Sequence, residues 1–165
     1  MTDSNEPVPM LGPLSFVVAL ICGPIVGSAV VALILVPAFG VGGAPVIGLF
    51  IPAVAVVFGA IPYLVFGTPV FMSLVKREPP DVWTYALGGV IANVLFGLCL
   101  TCAVMLLAFF DIELDSFDLE PGDLFFIWLF GIPFSAVWGG AFGGLYRFFL
   151  TSRSARAKGS EGGQS

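Results

Sequence analysis

The chain has 165 residues, of which 58% are hydrophobic and 10% charged, and its formal net charge is −5. Soluble domains carry about a quarter charged residues, so a mean hydropathy of +1.06 excludes an ordinary water-soluble protein. Six lysine and arginine residues neutralise few phosphates, which argues against a nucleic-acid partner. The lipid bilayer is the expected partner instead.

A short acidic tail, residues 1–13, precedes the first apolar stretch. A transmembrane helix needs about 20 mostly apolar residues, and four stretches satisfy this requirement, at about 14–37, 46–75, 82–110 and 124–149. The leader has two acids and no base, and the first stretch exceeds the core of a signal peptide, so a retained anchor is predicted. The predicted fold is an all-α integral membrane protein with four transmembrane helices in a bundle.

The first two spans are divided only by the sequence PAFGVGGAP, residues 37–45, because no charged residue lies between Glu6 and Lys76. Glycine and proline at this density interrupt helices. A single helix over this whole region would also far exceed the thickness of the bilayer. We therefore expect two crossings joined by a very short turn.

All basic residues are predicted to lie on one side of the membrane. They follow the second span or the fourth: Lys76, Arg77, Arg147, Arg153, Arg156 and Lys158. Bases in short loops stay in the cytoplasm, so the membrane domain, 14–150, is expected to have both termini cytoplasmic and its acidic loop, 111–123, outside. Residues 151–165 are small and polar and are predicted to be a disordered cytoplasmic tail. The Gly-, Ala- and Val-rich composition is typical of small multi-pass proteins of the bacterial inner membrane, the predicted location.

Prolines in the second span predict a bent helix. Pro62 and Pro69 are seven residues apart, so they share a face and weaken the helical bonds of the Phe58 and Val65 carbonyls. One interpretation is a polar pocket facing Asn93 of the third span, since exposed carbonyls are tolerated only against protein or a wet cavity. The alternative is a bent helix satisfied by its neighbours, with Asn93 making an interhelical hydrogen bond.

Small residues in the fourth span have the spacing of close helix contacts. The overlapping pairs are Gly139/Gly143 and Gly140/Gly144. Faces of this kind let helix backbones approach each other in lipid. Packing within one bundle is the favoured interpretation, and contact with a second copy is the alternative.

Histidine is absent from the chain, which removes histidine-based triads and metal sites. Cys99 and Cys102 form a C-x-x-C pair that shares one helix face. Nothing nearby lowers the thiol pKa, because the flanking residues are apolar. Both cysteines are therefore predicted to be buried structural residues.

The acidic loop predicts a weak site for a divalent cation. Asp111, Glu113 and Asp115 match positions 1, 3 and 5 of an EF-hand, but Ser116 and Gly122 stand where its glycine and final glutamate belong. A looser site with oxygen ligands remains compatible with Ca²⁺. The alternative is a solvated loop.

No catalytic residue or cofactor site is predicted. The predicted function is that of a non-enzymatic accessory or assembly protein, which binds a second copy of itself or another membrane protein. Two alternatives belong to other classes. One is a small uncoupled permease or channel that uses the proline-bent second span, and the other is a membrane thiol oxidoreductase that uses the C-x-x-C pair.

Overall fold

The computed structural model describes residues 12–77, 81–110 and 121–161. All regular structure in these ranges is helical: α1 (Pro13–Gly40), α2 (Pro45–Arg77), α3 (Val82–Phe109) and α4 (Pro121–Glu161). Each helix contains a segment long and apolar enough to cross a membrane: Pro13–Gly40, Pro45–Lys76, Val82–Leu107 and Trp128–Ser152. The prediction of an all-α chain with four such helices is confirmed.

The turn between α1 and α2 is as short as the sequence predicts. Residues 41–44 connect the two helices, and the Ala44 N–H donates to the Phe39 carbonyl at 3.0 Å. Gly43 has a φ of +79°, a conformation that glycine adopts without the steric cost of a Cβ. The glycines of this stretch therefore end one helix and reverse the chain before the next.

The start of α3 is capped by Asp81. Its carboxylate accepts the backbone N–H of Thr84 at 3.2 Å and the Thr84 hydroxyl at 3.3 Å. Such a bond satisfies one of the free N–H groups at a helix start. The sequence around 81–84 thus fixes where the third span begins.

The end of α4 differs from the prediction. A disordered tail was expected from residue 151, but α4 continues to Glu161; residues 162–165 lie outside the described part of the chain. Alanine, arginine and lysine in this segment favour helix, and extending an existing helix avoids the cost of nucleation. Loss of hydrophobicity therefore marks where the membrane span ends, while the helix itself continues.

The helices pack as two antiparallel hairpins. In the first hairpin α1 packs on α2, and in the second α3 packs on α4; α1 also contacts α4, and α2 contacts α3. Each helix therefore packs on two neighbours around a square. The backbones of α2 and α4, on a diagonal, approach each other at few points, and large side chains bridge them. Below, the termini end is the end where α1 begins and α4 ends, and the opposite end is the far end.

Aromatic rings fill the half of the helix arrangement nearest the termini end. Phe71, Tyr85 and Phe142 are fully buried there. The rings of Phe71 and Phe142 are stacked with centroids 4.6 Å apart, and Tyr146 stacks on Phe142 at 5.8 Å. These contacts join α2, α3 and α4, so the termini half is closed.

Trp138 of α4 forms the top of this closed half. Its indole N–H donates to the Ser28 hydroxyl of α1 at 2.9 Å, and its carbonyl accepts the Tyr63 hydroxyl of α2 at 3.3 Å. Gly27 and Gly59 leave room for the indole, since a Cβ at either would approach it within 2.7 or 2.8 Å. Trp138 therefore links α1, α2 and α4, through its side chain and its backbone carbonyl.

Candidate functional site

A cavity lies beyond Trp138, toward the far end, where α2 separates from α4. Its volume is about 640 Å³, within the usual range for small-molecule sites. Residues of α2, α3 and α4 form the wall, and small ones such as Ala55, Ala92 and Gly131 leave the space unfilled. The wall is largely aromatic, with the rings of Phe58, Tyr63, Phe96, Phe126, Phe130, Phe134 and Trp138.

The cavity communicates with the exterior of the protein. Phe58 of α2 and Phe130 of α4 line it, yet they are also 71% and 54% exposed. Both residues lie within segments long and apolar enough to cross a membrane. In a bilayer the opening would therefore face lipid rather than water.

Three polar side chains of the wall use their hydrogens inside the protein. The Tyr63 hydroxyl donates to the Trp138 carbonyl of α4, and the Trp138 indole N–H donates to the Ser28 hydroxyl of α1. The Ser135 hydroxyl donates to the Ile132 carbonyl of its own helix at 2.9 Å. Among the described residues that line the cavity, none carries a charged side chain.

Asn93 of α3 is the fourth polar side chain, and it links α3 to α4. Its side-chain N–H donates to the Trp128 carbonyl at 3.1 Å, and the Trp128 indole N–H donates to the Asn93 carbonyl at 3.0 Å. A glycine at position 97 gives the Trp128 indole its room, because a Cβ there would clash with the ring. The interhelical hydrogen bond expected for Asn93 is thus observed.

The remaining amide atom of Asn93 is an oxygen. The Trp128 carbonyl can only accept a hydrogen bond, so the amide atom facing it must be Nδ2, and the other must be Oδ1. Gly131 lies beside this oxygen, and a Cβ at that position would be 2.7 Å from it. Asn93 and Gly131 both line the cavity, which gives its wall a neutral hydrogen-bond acceptor.

The two prolines proposed for a pocket in the second span lie in different surroundings. Pro62 lines the cavity, as does Phe58, whose carbonyl loses its helical partner to Pro62. Pro69 is not among the lining residues and lies on an exposed position nearer the termini end. Near Pro69 the interior is filled by aromatic rings such as Phe71. The two prolines therefore do not line one cavity, although their spacing places them on the same face of α2. The Thr68 hydroxyl bonds back to the Leu64 carbonyl within α2.

The four glycines of α4 divide into two pairs. A Cβ at Gly139 would clash with the Tyr85 carbonyl, and one at Gly143 would lie 2.8 Å from the Tyr85 ring, so both face α3. Gly140 has only ordinary contacts, at 3.5 Å or more, and Gly144 has nothing within 4 Å. The backbones of α3 and α4 therefore approach closely where Gly139 meets Tyr85 and Gly89 and where Gly89 meets the Ser135 carbonyl, while Gly143 packs on the Tyr85 side chain.

The cysteines of the C-x-x-C pair are not buried. Cys99 and Cys102 are free thiols on the exposed surface of α3, which corrects the expectation of burial. Their apolar neighbours in the sequence suit lipid contact as well as a protein core, because a membrane helix is apolar on both faces. Cys22, in α1, is only partly exposed.

The predicted cation ligands Asp111, Glu113 and Asp115 lie outside the described residues. Within the described ranges no group of three or more His, Cys, Asp or Glu side chains is placed to hold a metal ion. The acidic loop therefore stays a prediction from sequence.

Two features of the site were not predicted. The hydrogen bond from the Trp128 indole N–H to the Asn93 carbonyl of α3 was not predicted. The central position of Trp138 was also missed, although a tryptophan beside paired glycines in an apolar span is a usable signal for close packing.

No family model, curated protein or solved structure matches this chain. Its four long apolar helices are those of a multi-pass membrane protein.

Proposed function

We propose that this chain is a non-enzymatic membrane protein that takes a neutral, mainly apolar molecule from the bilayer into the cavity between α2, α3 and α4. The observation that supports this most directly is the cavity itself. It measures about 640 Å³, is walled by aromatic rings and includes a polar amide. Small-molecule sites typically combine an apolar wall with a few oriented polar groups.

Van der Waals attraction favours a cavity that is filled by an apolar molecule over an empty one. Side chains around a void lose contacts on one side, and lipid or a ligand restores them. Aromatic rings offer large rigid surfaces for such contact. Because Phe58 and Phe130 are both lining and exposed, a molecule dissolved in the bilayer can enter without crossing water.

The same cavity serves the facilitator alternative, since passage through a bundle also begins with binding beside the bent α2. The accessory or assembly role predicted from the sequence has a smaller surface available in α4. Of the two glycine pairs considered for contact with a second copy, Gly139/Gly143 is covered by α3 of the same chain, and Gly140/Gly144 has room beside it. If the termini are cytoplasmic in a bacterial inner membrane, as proposed from the basic residues, the cavity opens toward the outer leaflet.

A cavity-filling variant tests the proposal. Ala55 lines the cavity, and Ala53, two residues away on α2, is exposed and does not line it. Ala55→Phe fills the space, whereas Ala53→Phe adds the same ring to the outer surface. Native mass spectrometry of protein purified from membranes in mild detergent measures what remains bound.

We expect one neutral molecule per chain in the wild type and in Ala53→Phe, and its loss in Ala55→Phe. Circular dichroism on all three proteins checks that the helices are intact. Equal occupancy in the two phenylalanine variants would refute the proposal, because the bound molecule would then lie elsewhere.

A further inference from the structure

We infer that the ligand of this cavity carries a hydrogen-bond donor, a hydroxyl or an amide N–H, and that the side-chain oxygen of Asn93 accepts it. This inference rests on the proposed function and specifies the class of ligand: a neutral, largely apolar alcohol or amide. It follows from the hydrogen bonds of the cavity wall taken one by one.

Donors of the wall are mostly engaged. The Tyr63 hydroxyl donates to the Trp138 carbonyl, the Trp138 indole donates to Ser28, and the Ser135 hydroxyl donates to its own helix. Asn93 uses one of its two N–H bonds on the Trp128 carbonyl. The polar side chains of the wall therefore have more free acceptor positions than free donor hydrogens, and a ligand with a donor suits them better than one with only acceptors.

Among the remaining acceptors, the Asn93 oxygen is the side-chain amide, and the Phe58 carbonyl that Pro62 frees is a backbone amide. An amide oxygen has two lone pairs, and the described part of the chain supplies no hydrogen bond to this one. The glycine at 131 keeps the space beside it open. A polar atom left without a partner in an apolar surrounding is costly, so a ligand hydroxyl at this point gains where a hydrocarbon would not.

The depth of Asn93 along α3 and the uncharged lining of the cavity restrict the class of ligand further. Asn93 is the twelfth residue of α3 (Val82–Phe109), so it lies roughly 16 Å along the helix from its start at a rise of 1.5 Å per residue. A donor bound there is held well inside the apolar layer. A phospholipid head group is charged and stays at the interface, and the described lining residues offer no charged side chain to pair with it. A long-chain or isoprenoid alcohol satisfies both conditions.

Two probes that differ in one donor test the inference. Farnesol carries a hydroxyl, and its methyl ether keeps the chain and the oxygen but has no donor. Their dissociation constants for the detergent-solubilised protein are compared by quenching of tryptophan fluorescence with a brominated competitor, at one detergent concentration. One net hydrogen bond changes an equilibrium constant about two- to tenfold, so farnesol is expected to bind several-fold more tightly.

Two variants remove the acceptor in different ways. Asn93→Leu deletes the oxygen, and Gly131→Ala places a methyl group 2.7 Å from it while keeping the amide. Both are expected to bring the two dissociation constants within twofold of each other. Thr101→Val is the matched control on α3, because its hydroxyl bonds back to Gly97 and does not line the cavity; it should keep the wild-type ratio.

The outcomes separate this inference from the proposed function. Equal binding of both probes to the wild type, abolished by Ala55→Phe, overturns the inference and leaves the cavity as a binding site. A wild-type preference that persists in both Asn93→Leu and Gly131→Ala also overturns it, since the acceptor is then another group. No saturable binding of either probe, with unchanged occupancy of the purified protein in Ala55→Phe, overturns both.

Discussion

Adding one methyl group at the glycines of α4 tests which face of this helix contacts α3. A Cβ at Gly139 would clash with the backbone carbonyl of Tyr85, which cannot move without moving α3. At Gly144 the added methyl meets nothing within 4 Å, and at Gly140 the nearest atom is 3.5 Å away. Glycines that look equivalent in the sequence should therefore respond differently to the same substitution.

The size of the difference follows from two opposing contributions. Replacing glycine by alanine within a helix gains about 0.5–1 kcal/mol of backbone stability. This gain is common to all these positions, so it cancels when Gly139→Ala is compared with Gly144→Ala. Overpacking costs about 1–3 kcal/mol, and a clash with backbone belongs at the upper end. We expect Gly139→Ala to be less stable than Gly144→Ala by about 2–3 kcal/mol.

Unfolding in mixed micelles, with increasing sodium dodecyl sulfate and far-ultraviolet circular dichroism as the signal, measures this difference. Gly140→Ala and Gly144→Ala should unfold at the wild-type midpoint or above it, and Gly139→Ala clearly below it. Coincident midpoints for Gly139→Ala and Gly144→Ala would refute the close contact between α3 and α4.

Three further predictions concern the interior, the orientation and the thiols. The Tyr85 hydroxyl is buried and has no hydrogen-bond partner among the described residues, so Tyr85→Phe should leave stability unchanged or raise it by up to about 3 kcal/mol. Tyr63→Phe loses the bond to the Trp138 carbonyl and should lower stability by about 0.6 kcal/mol; a Tyr85→Phe midpoint at or below that of Tyr63→Phe in micelle unfolding would contradict both expectations. To test the orientation, Ser116→Cys and Ser160→Cys are introduced singly after the three native cysteines are replaced by alanine. A membrane-impermeant maleimide added to intact cells should label position 116 alone. Labelling of position 160 alone would show that the orientation is the reverse of the one proposed. The exposed C-x-x-C pair of α3 should react with a lipid-soluble maleimide and resist a charged one, and alanine at both positions should change stability by no more than about 0.5 kcal/mol; a mixed disulfide trapped from cells would instead support the oxidoreductase alternative.

The helices and the first turn could be predicted because they depend on local properties of the sequence. Span number follows from the length of apolar runs, and the turn at Gly43 follows from glycine and proline between two of them. The end of α4 could not be read in this way. Apolarity reports the membrane, whereas residues 150–161 keep helical hydrogen bonds after the apolar segment has ended.

Helix faces were much harder to predict than helix positions. In water a buried face is more apolar than the exposed one, but in lipid both faces are apolar and that contrast is lost. Cys99 and Cys102 illustrate the consequence, because their apolar neighbours suggested burial and they are exposed. The same loss of contrast hid the difference between Gly139, which faces α3, and Gly144, which does not.

The distribution of large and small side chains along α2 and α3 accounts for the cavity. Toward the termini end Phe71 and Tyr85 reach across and interlock with α4. Toward the far end the residues that face inward include Ala55 and Ala92, which are too short to reach it. Trp138 lies at the boundary between the filled half and the cavity, and its indole N–H is hydrogen-bonded to Ser28 of α1. Because no described residue of α1 lines the cavity, the hydrogen bond from Trp138 to Ser28 can persist whether the cavity is empty or occupied.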